Sequence, residues 1–119
     1  MGRSPVSYQL SIEVRRPVRV VVGRLGEFLF PAGRYVYSGS ARRNFEARIA
    51  RHLRVEKTLR WHIDYLLAAS GVSVTAVKRS VRDECALNRS VGGRVVAAGF
   101  GASDCREGCG SHLRYLETR

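Results

Sequence analysis

The segment from residue 34 to residue 54, RYVYSGSARRNFEARIARHLR, concentrates side chains that can bind an anion. It holds six arginines, two tyrosines and one histidine. Apolar residues recur at every fourth position from Phe45 to Leu53, which predicts a helix with one apolar face. Arg48 and His52 are also four apart and fall beside that face. The two side chains are therefore expected to lie along the edge of the core, and a guanidinium there is suited to bidentate contacts with an anion.

Other arginines of this region are predicted to form a non-specific contact surface for nucleic acid. The formal net charge is +11, and only Lys57 and Lys78 among the basic residues are lysines. Such a surplus attracts polyanions and makes nucleic acid the leading partner class. Arginine use driven by genome composition or by thermal stability is the alternative explanation. The predicted contact residues are Arg42, Arg43, Arg51, Arg54 and Arg60, and of these Arg51 and Arg54 are expected to point toward water.

Cysteine and histidine residues near the end of the sequence form a second group with chemical potential. Cys105, Cys109 and His112 lie close together in the sequence and can bind Zn²⁺, with Cys85 as the fourth ligand if the fold brings it near. A rigid glycine-rich loop with small buried thiols is one alternative, and a Cys105–Cys109 disulfide is another. Three cysteines, an odd number, favour a reducing cytoplasm over a disulfide scaffold.

Alternating and β-branched runs predict the strands that must position these residues. Strands are expected at 8–14, at 18–25 as the partner of the first strand, at 27–30, 34–38 and 72–80, at the start of the 95–111 region, and near 112–116. The expected arrangement is an α+β fold in which a small, mainly antiparallel sheet is flanked by helices. Residues 1–119 are expected to form one domain.

Capping residues predict where the helices begin. Asn44 is expected to cap the arginine-rich helix, Thr58 a second helix that ends at Gly71, and Asp83 a third that starts at Glu84. The second helix is expected to bury Leu59, Ile63, Leu66 and Leu67. Neither a secretory signal nor an apolar run of membrane-spanning length is found, so a cytoplasmic protein without a membrane partner is expected.

The order of these elements resembles the GIY-YIG nuclease superfamily. VSY (6–8) would stand for its first tyrosine strand, YSG (37–39) for its second, and Arg48 and His52 for its Arg-x-x-x-His helix. The blocks GRYVYSGSA, RIARHLR, WHIDYLL, EC, GFGASDC and SHLRY are similar to small stand-alone GIY-YIG-like domains long filed as a domain of unknown function, in the Uri-type endonuclease branch. Some relatives are fused to endonuclease III-type DNA glycosylases. The resemblance runs from about residue 6 to about residue 116.

The resemblance implies a metal-dependent DNA endonuclease that acts in DNA repair, with a DNA-repair protein as a further partner. Arg48 would stabilise the charge of the transition state, and Glu84 would hold Mg²⁺ or Mn²⁺. Tyr8 would act as a general base or orient the attacking water. Tyr37 and His52 would position that water and the phosphate. His62 would belong to the same shell.

Departures from the family pattern leave other functions open. Val6-Ser7 replaces the usual Gly-Ile, and Ser38 replaces a branched apolar residue. The late asparagine of many members has no clear counterpart, since Asn88 fits poorly and His112 is a substitute. A nucleic-acid-binding module without hydrolysis and a zinc-stabilised interaction domain are therefore the alternatives. Taken singly, the candidate residues also have ordinary structural interpretations, such as half-buried tyrosines and a helix-dipole role for the glutamate.

Overall fold

The computed structural model of the chain describes residues 5–41, 43–54, 57–102, 105 and 108–116. Within these residues it has the predicted α+β fold, with a four-stranded antiparallel sheet, a two-stranded sheet and three helices. Arg42, predicted to contact nucleic acid, lies outside the described residues. The elements are β1 (Ser7–Val14), β2 (Val18–Val22), β3 (Gly26–Phe30), β4 (Gly33–Ser40), α1 (Phe45–Leu53), α2 (His62–Leu67), β5 (Val72–Ser80), α3 (Glu84–Val91) and β6 (Leu113–Tyr115).

Strand β1 lies inside the larger sheet, whose order is β5-β1-β4-β6. Alternate residues of β1 point into the core, and Tyr8, Leu10, Ile12 and Val14 are all buried. Ladders to β4 and β5 cover both of its edges, with a register shift opposite β5 after Ser11. β1 is therefore a central strand of the fold. Its first residues lie at the end of the sheet where β4 finishes.

The predicted pairing of the first two strands is wrong. Strand β2 pairs with β3 in a separate hairpin, while β4 and β5 occupy both edges of β1. The β2–β3 connection is as short as the one between β1 and β2, so loop length does not decide the pairing; Gly23, with a φ of +50°, allows the tight turn that closes the hairpin. Val20, Val22 and Phe30 of the hairpin are buried and join the core from the side of α2.

Helix α1 is present as predicted, but its buried face is different. Ile49 and His52 are both 2% exposed, whereas Leu53 is 52% exposed. Asn44 precedes the helix in a left-handed conformation, and its side chain makes no capping hydrogen bond. The helix therefore buries Phe45 in part, Ile49 and His52, which are spaced four and three apart and also lie on one face. A histidine takes the core position that the pattern assigned to a leucine.

The two later helices show how capping decides a boundary. Helix α2 begins at His62 rather than near Thr58, because the Asp64 carboxylate accepts hydrogen bonds from the backbone N–H groups of Arg60 and Trp61. Leu59 consequently stays outside the helix and is exposed, against expectation. Helix α3 confirms its prediction, since Asp83 Oδ1 accepts from the Ala86 N–H at 2.9 Å and Gly92 ends the helix with a φ of +71°.

The last part of the chain returns to the sheet edge. Strand β6 pairs with β4, and an isolated bridge joins Arg94 to Tyr115. No strand forms among the described residues between α3 and β6, so the short strand predicted there is wrong. The His112 N–H instead donates to the Phe100 carbonyl at 2.8 Å, and the His112 carbonyl accepts from the Ser38 N–H at 2.9 Å. These bonds fix His112 next to β4.

Candidate functional site

A cleft of about 910 Å³ opens where β1 begins and β4 ends. Its walls come from both strands, from α1, from the first turns of α2 and α3, and from the loop before β6. Five of the predicted catalytic and metal-binding residues line it: Tyr8, Tyr37, Arg48, His62 and Glu84. The sixth, His52, contacts Tyr8 from the core side. The fold therefore brings together residues that are as far as 76 positions apart in the sequence, from Tyr8 to Glu84.

Glycine at position 39 is required by the placement of Tyr8. The two residues face each other across the β1–β4 ladder. A Cβ atom at Gly39 would lie 2.6 Å from both Cζ and Oη of the tyrosine, far inside van der Waals contact. The strand predicted at 34–38 does not end before this glycine, since β4 continues to Ser40. Gly39 instead makes room for the tyrosine ring.

Tyr8 and His52 form a buried hydrogen-bonded pair. The Tyr8 hydroxyl lies 2.7 Å from His52 Nε2. Burial, reinforced by the charges of Lys57, Arg51 and Arg48, lowers the pKa of His52 to about 4, although Asp64 opposes this shift. Burial also raises the pKa of Tyr8 above its ordinary value, and the Arg48 guanidinium only partly opposes that. At neutral pH the pair is thus a phenol beside an uncharged imidazole.

Arg48 places a fixed positive charge in the cleft. Its Nη1 donates to the Ser40 carbonyl at 3.0 Å, and its guanidinium carbon lies 4.6 Å from the centre of the Trp61 ring. The carbonyl and the aromatic face hold the half-buried side chain in one direction. The charge helps to lower the pKa of Glu84 and partly offsets the rise that burial causes in the pKa of Tyr8. The arginine therefore serves as the local counter-charge for anions.

Tyr37 and His62 complete the wall next to the loop. Tyr37 is buried, and burial raises the pKa of its hydroxyl. His62 Nδ1 accepts the Gly101 backbone N–H at 2.8 Å, and burial lowers the pKa of this imidazole. Since Nδ1 acts as an acceptor, the neutral ring carries its proton on Nε2. His62 is thus a hydrogen-bond donor in the cleft.

Glu84 lies at the start of α3 with both carboxylate oxygens engaged. Ser40 Oγ donates to Oε1 at 2.6 Å, and His112 Nδ1 lies 2.5 Å from Oε2. Burial alone would raise the pKa of Glu84, but the bonds from His112 and Ser40 and the charge of Arg48 outweigh it and lower the pKa. The side chain remains 24% exposed to the cleft. Glu84 is therefore an ionised carboxylate that a ligand can reach.

His112 rather than Asn88 reaches the cleft. Asn88 is fully buried, and its Nδ2 donates to the Ser111 carbonyl at 2.8 Å, so it acts as a structural residue. His112 lines the cleft beside Glu84. Burial would lower the pKa of His112, but the adjacent carboxylate and the hydrogen bonds with Cys105 and Cys109 raise it to about 9. Of these two residues, only His112 therefore lines the cleft.

The predicted Cys₃His cluster forms in the structure. The ligand atoms of Cys85, Cys105, Cys109 and His112 all lie within 4.8 Å of one another, an arrangement that could hold a metal ion. Cys85 Sγ is 3.6 Å from Cys105 Sγ and 3.9 Å from His112 Nε2. No cysteine forms a disulfide, so the Cys105–Cys109 bridge considered above is absent. Burial and the two neighbouring thiols raise the pKa of Cys85 to about 12.

The arginines of the predicted contact surface are not equivalent. Arg43, Arg54 and Arg60 are exposed, and Arg60 also lines the cleft. Arg51 does not point toward water as expected: its side chain is 22% exposed and binds both carboxylate oxygens of Asp64, at 2.9 and 3.0 Å. It also donates to the Thr58 carbonyl at 2.8 Å. The buried partner draws Arg51 inward, which makes it a structural residue.

Several residues of the site are not predicted from the sequence. Ser40 and Asp83 line the cleft, and Asp64 is a fully buried carboxylate behind it. The sequence predicts Asp83 only as a helix cap. Asp64 follows Trp61 by three positions, the spacing of a carboxylate that caps its own helix, so this pattern could have revealed it. Ser40 carries no comparable local signal, because its partner Glu84 lies 44 residues away.

Comparison with known proteins identifies the family of the chain but no closer relative. No helix in the described ranges is long and apolar enough to cross a membrane. A search of curated proteins found no match. A search of solved structures found none either. A family model matches residues 7–119, and the chain therefore belongs to the family described as domain of unknown function DUF123.

Proposed function

We propose that this chain is a GIY-YIG-like nuclease that hydrolyses phosphodiester bonds of DNA in the cytoplasm, in the service of DNA repair and alongside a repair protein. The observation that carries the proposal is the convergence of an arginine, a carboxylate, two tyrosines and a neutral histidine in one cleft. These are the residue types that phosphodiester hydrolysis requires: a fixed cation, a metal ligand, proton carriers and a donor.

Arg48 binds the scissile phosphate. Its guanidinium is held by the Ser40 carbonyl and the Trp61 ring, so it needs little reorganisation when a phosphate arrives. A fixed cation stabilises the charge that collects on the phosphoryl oxygens as water attacks. Its planar donors also suit phosphate better than the ammonium group of a lysine would.

Tyr8 and His52 carry the proton of the attacking water. The water gives a proton to Tyr8 Oη as the tyrosine gives its own proton to His52 Nε2, 2.7 Å away. The products of this transfer are a hydroxide and a protonated imidazole. The hydroxide attacks phosphorus, and the bond from phosphorus to the leaving oxygen breaks. His62, with its proton on Nε2, donates a hydrogen bond to that leaving oxygen, which takes its proton from solvent, and the proton on His52 is released to solvent afterwards.

Glu84 and Asp83 suit Mg²⁺ or Mn²⁺, because both offer hard carboxylate oxygens on the same wall of the cleft. Glu84 is ionised and accessible, and Asp83 is exposed at the start of α3. Such an ion would supply Lewis-acid polarisation of the phosphate and stabilise the leaving oxygen.

The surface around the cleft holds the DNA backbone. Arg60 lines the cleft, and Arg43 and Arg54 are exposed at the two ends of α1. These contacts would set affinity and salt dependence without reading base sequence. Arg51 is left out of this surface because its donors are used by Asp64 and Thr58.

Cleavage of labelled duplex, flap and branched DNA tests the proposal. The chain would be assayed with Mg²⁺, with Mn²⁺ and with EDTA, beside Arg48→Ala and Tyr8→Phe. We expect metal-dependent cutting that falls at least ~100-fold in Arg48→Ala. Arg79→Ala is the matched control, because this arginine is exposed and pairs with Glu46 away from the cleft. The absence of cutting on every substrate, or cutting that is the same in all variants, would contradict the proposal.

A nucleic-acid-binding module without hydrolysis is the second candidate. It is favoured by the Glu84 carboxylate, whose two oxygens already contact Ser40 and His112. If these contacts exclude Mg²⁺ and Mn²⁺, the arginines still bind DNA. In that case the same assays would give salt-dependent binding with no product in any metal.

A zinc-stabilised interaction domain is the third candidate. It is favoured by the Cys₃His cluster, since thiolates and an imidazole are the ligands of structural Zn²⁺ sites. Stoichiometric zinc in elemental analysis, unfolding on chelation and no affinity for DNA would together support this candidate over the other two.

A further inference from the structure

We propose that Cys85, Cys105, Cys109 and His112 form a Zn²⁺ centre in which Glu84 is the outer carboxylate that orients His112 toward the ion. The inference rests on the metal-binding cluster and not on phosphodiester cleavage. It gives Glu84 a role different from that of a direct Mg²⁺ ligand, because the glutamate would act on the zinc ion through a histidine.

The separations of the ligand atoms fit tetrahedral zinc. With Zn–S near 2.3 Å and Zn–N near 2.0 Å, tetrahedral geometry puts two sulfur ligands about 3.8 Å apart and a sulfur and a nitrogen ligand about 3.5 Å apart. The distance from Cys85 Sγ to Cys105 Sγ is 3.6 Å, and that from Cys85 Sγ to His112 Nε2 is 3.9 Å. All four ligand atoms lie within 4.8 Å of one another. Small side-chain shifts would therefore complete the shell.

The two nitrogens of His112 face different partners. Nδ1 lies 2.5 Å from Glu84 Oε2, while Nε2 points to Cys85. A histidine that ligates zinc usually donates its other N–H to a carboxylate, which fixes the ring and increases its basicity. Glu84 is held for this task by the hydroxyl of Ser40. A metal site is thus built up in layers here: the thiols and His112 would contact the ion, Glu84 contacts His112, and Ser40 holds Glu84.

The backbone around the cluster is also organised before any ion binds. The His112 N–H donates to the Phe100 carbonyl, and the Arg114 guanidinium donates to the Cys109 carbonyl at 3.1 Å. Gly108 and Gly110, on either side of Cys109, both have positive φ, which lets the chain turn sharply around this ligand. Cys85 is held in the first turn of the capped helix α3.

The same contacts connect the zinc ion to the cleft. Cys85, Cys105 and His112 line the cleft together with Glu84. An ion bound to His112 Nε2 keeps the proton on Nδ1, which faces Glu84 Oε2 at 2.5 Å, and hence keeps this contact attractive. Occupancy of the cluster would therefore hold Glu84 in place on the wall of the cleft. Loss of the ion would let the glutamate and the loop around Cys109 relax.

Zinc titration of the full chain tests the inference. The chain would be stripped of metal under reducing conditions, titrated with Zn²⁺ against a chromophoric chelator, and titrated separately with Co²⁺. We expect one Zn²⁺ per chain and the intense thiolate-to-cobalt absorption of tetrahedral coordination. Cys85→Ser and Cys109→Ser should each weaken the cobalt absorption and the zinc affinity. Circular dichroism of the metal-free proteins would show that the variants fold.

Glu84→Gln isolates the role of the carboxylate. We expect an affinity for zinc that is ~10–100-fold weaker with the stoichiometry unchanged, since outer-shell carboxylates contribute about this much. Glu46→Gln is the control, because it alters an exposed carboxylate outside the cleft. Unchanged zinc affinity in Glu84→Gln would overturn the role of Glu84. A chain that binds no zinc, or that forms a Cys85–Cys105 disulfide and then takes up none after reduction, would overturn the centre. Neither result depends on DNA cleavage.

Discussion

Asp64 and Glu84 are carboxylates in the first turns of two short helices beside one cleft, and their surroundings differ sharply. The Asp64 side chain is fully buried and binds Arg51 through both oxygens, together with the backbone N–H groups of Arg60 and Trp61. Glu84 is 24% exposed and has one side-chain partner on each oxygen, Ser40 and His112. The oxygens of Asp64 are thus fully used by hydrogen bonds within the protein. Those of Glu84 can still accept further hydrogen bonds from the cleft.

The completeness of its bonding decides whether a charged residue of this protein can act on a ligand. A buried charge whose partners are complete stabilises structure and offers nothing to a ligand. An ionised carboxylate that is partly exposed beside a histidine and a thiol cluster can still bind an ion or orient a ligand. The arginines show the same difference. Arg51 uses its donors to bind Asp64, whereas Arg48 lines the cleft, where its charge can act on a ligand.

The largest effect is expected on stability when Asp64, the fully buried carboxylate, is replaced. Asp64→Ala leaves the half-buried Arg51 without its carboxylate partner and removes the cap of α2, so we expect the free energy of unfolding to fall by about 3 kcal/mol. Chemical denaturation measures the change. Glu46→Ala, which breaks the exposed pair with Arg79, should leave the denaturation midpoint nearly unchanged. An Asp64→Ala protein as stable as the parent would contradict the structural role of Asp64.

The next effect is a pH dependence that comes from His52. Its pKa is about 4 in the folded protein, below the ordinary 6.5, so the unfolded chain binds a proton more readily. The neutral histidine therefore stabilises the fold fully above pH 6.5, and this stabilisation is lost as pH falls from 6.5 toward 4. We expect a loss of a few kcal/mol across that range in denaturation curves. His52→Gln should flatten this part of the profile, and an unchanged profile would place the acid sensitivity elsewhere.

A smaller effect is expected at Gly39, which makes room for Tyr8 in the wall of the cleft. Gly39→Ala puts a methyl group where the Tyr8 ring lies, and we expect a loss of about 1–3 kcal/mol in stability together with displacement of the tyrosine. Thermal unfolding measures the first quantity, and the rate of DNA cleavage reports the second. The double variant Tyr8→Leu/Gly39→Ala should recover part of the stability but none of the activity. If Gly39→Ala alone keeps full activity, the tyrosine position is not critical.

The smallest effect concerns an exposed arginine. Arg54→Ala should leave the thermal midpoint almost unchanged, and it should reduce the slope of log affinity for DNA against log salt by about one. Binding titrations at several salt concentrations measure that slope. Arg16→Ala, an exposed arginine in the turn after β1, supplies the comparison. Equal slopes for both variants and the parent would mean that Arg54 makes no phosphate contact.

Local signals in the sequence were sufficient wherever a boundary depended on neighbouring residues. Strand β5 was expected at 72–80 and is found at Val72–Ser80, and the Asp83 cap sets the start of α3 as expected. The co-location of Tyr8, Arg48 and Glu84 was expected from the resemblance to the GIY-YIG superfamily, and these residues do line one cleft.

Pairings between distant segments could not be predicted from the sequence. The alternation of apolar residues predicts that a segment is a strand, but it does not specify the partner of that strand. It therefore predicts neither the β2–β3 hairpin nor the pairing of β1 with both β4 and β5. The inward turn of Arg51 depends on Asp64, thirteen residues later, and the burial of His52 depends on Tyr8, 44 residues earlier. In each case a polar side chain is placed by a partner that lies outside its own helix.

Trp61 is the single tryptophan of the chain, and its position makes it a built-in optical probe. The guanidinium carbons of Arg48 and Arg51 lie 4.6 and 4.2 Å from its ring centre, and the ring lines the cleft. Arg51 is anchored, so a shift of Arg48 toward a bound anion would change the electric field at the indole. The fluorescence of the unlabelled protein should therefore report occupancy of the cleft during a titration, without any dye.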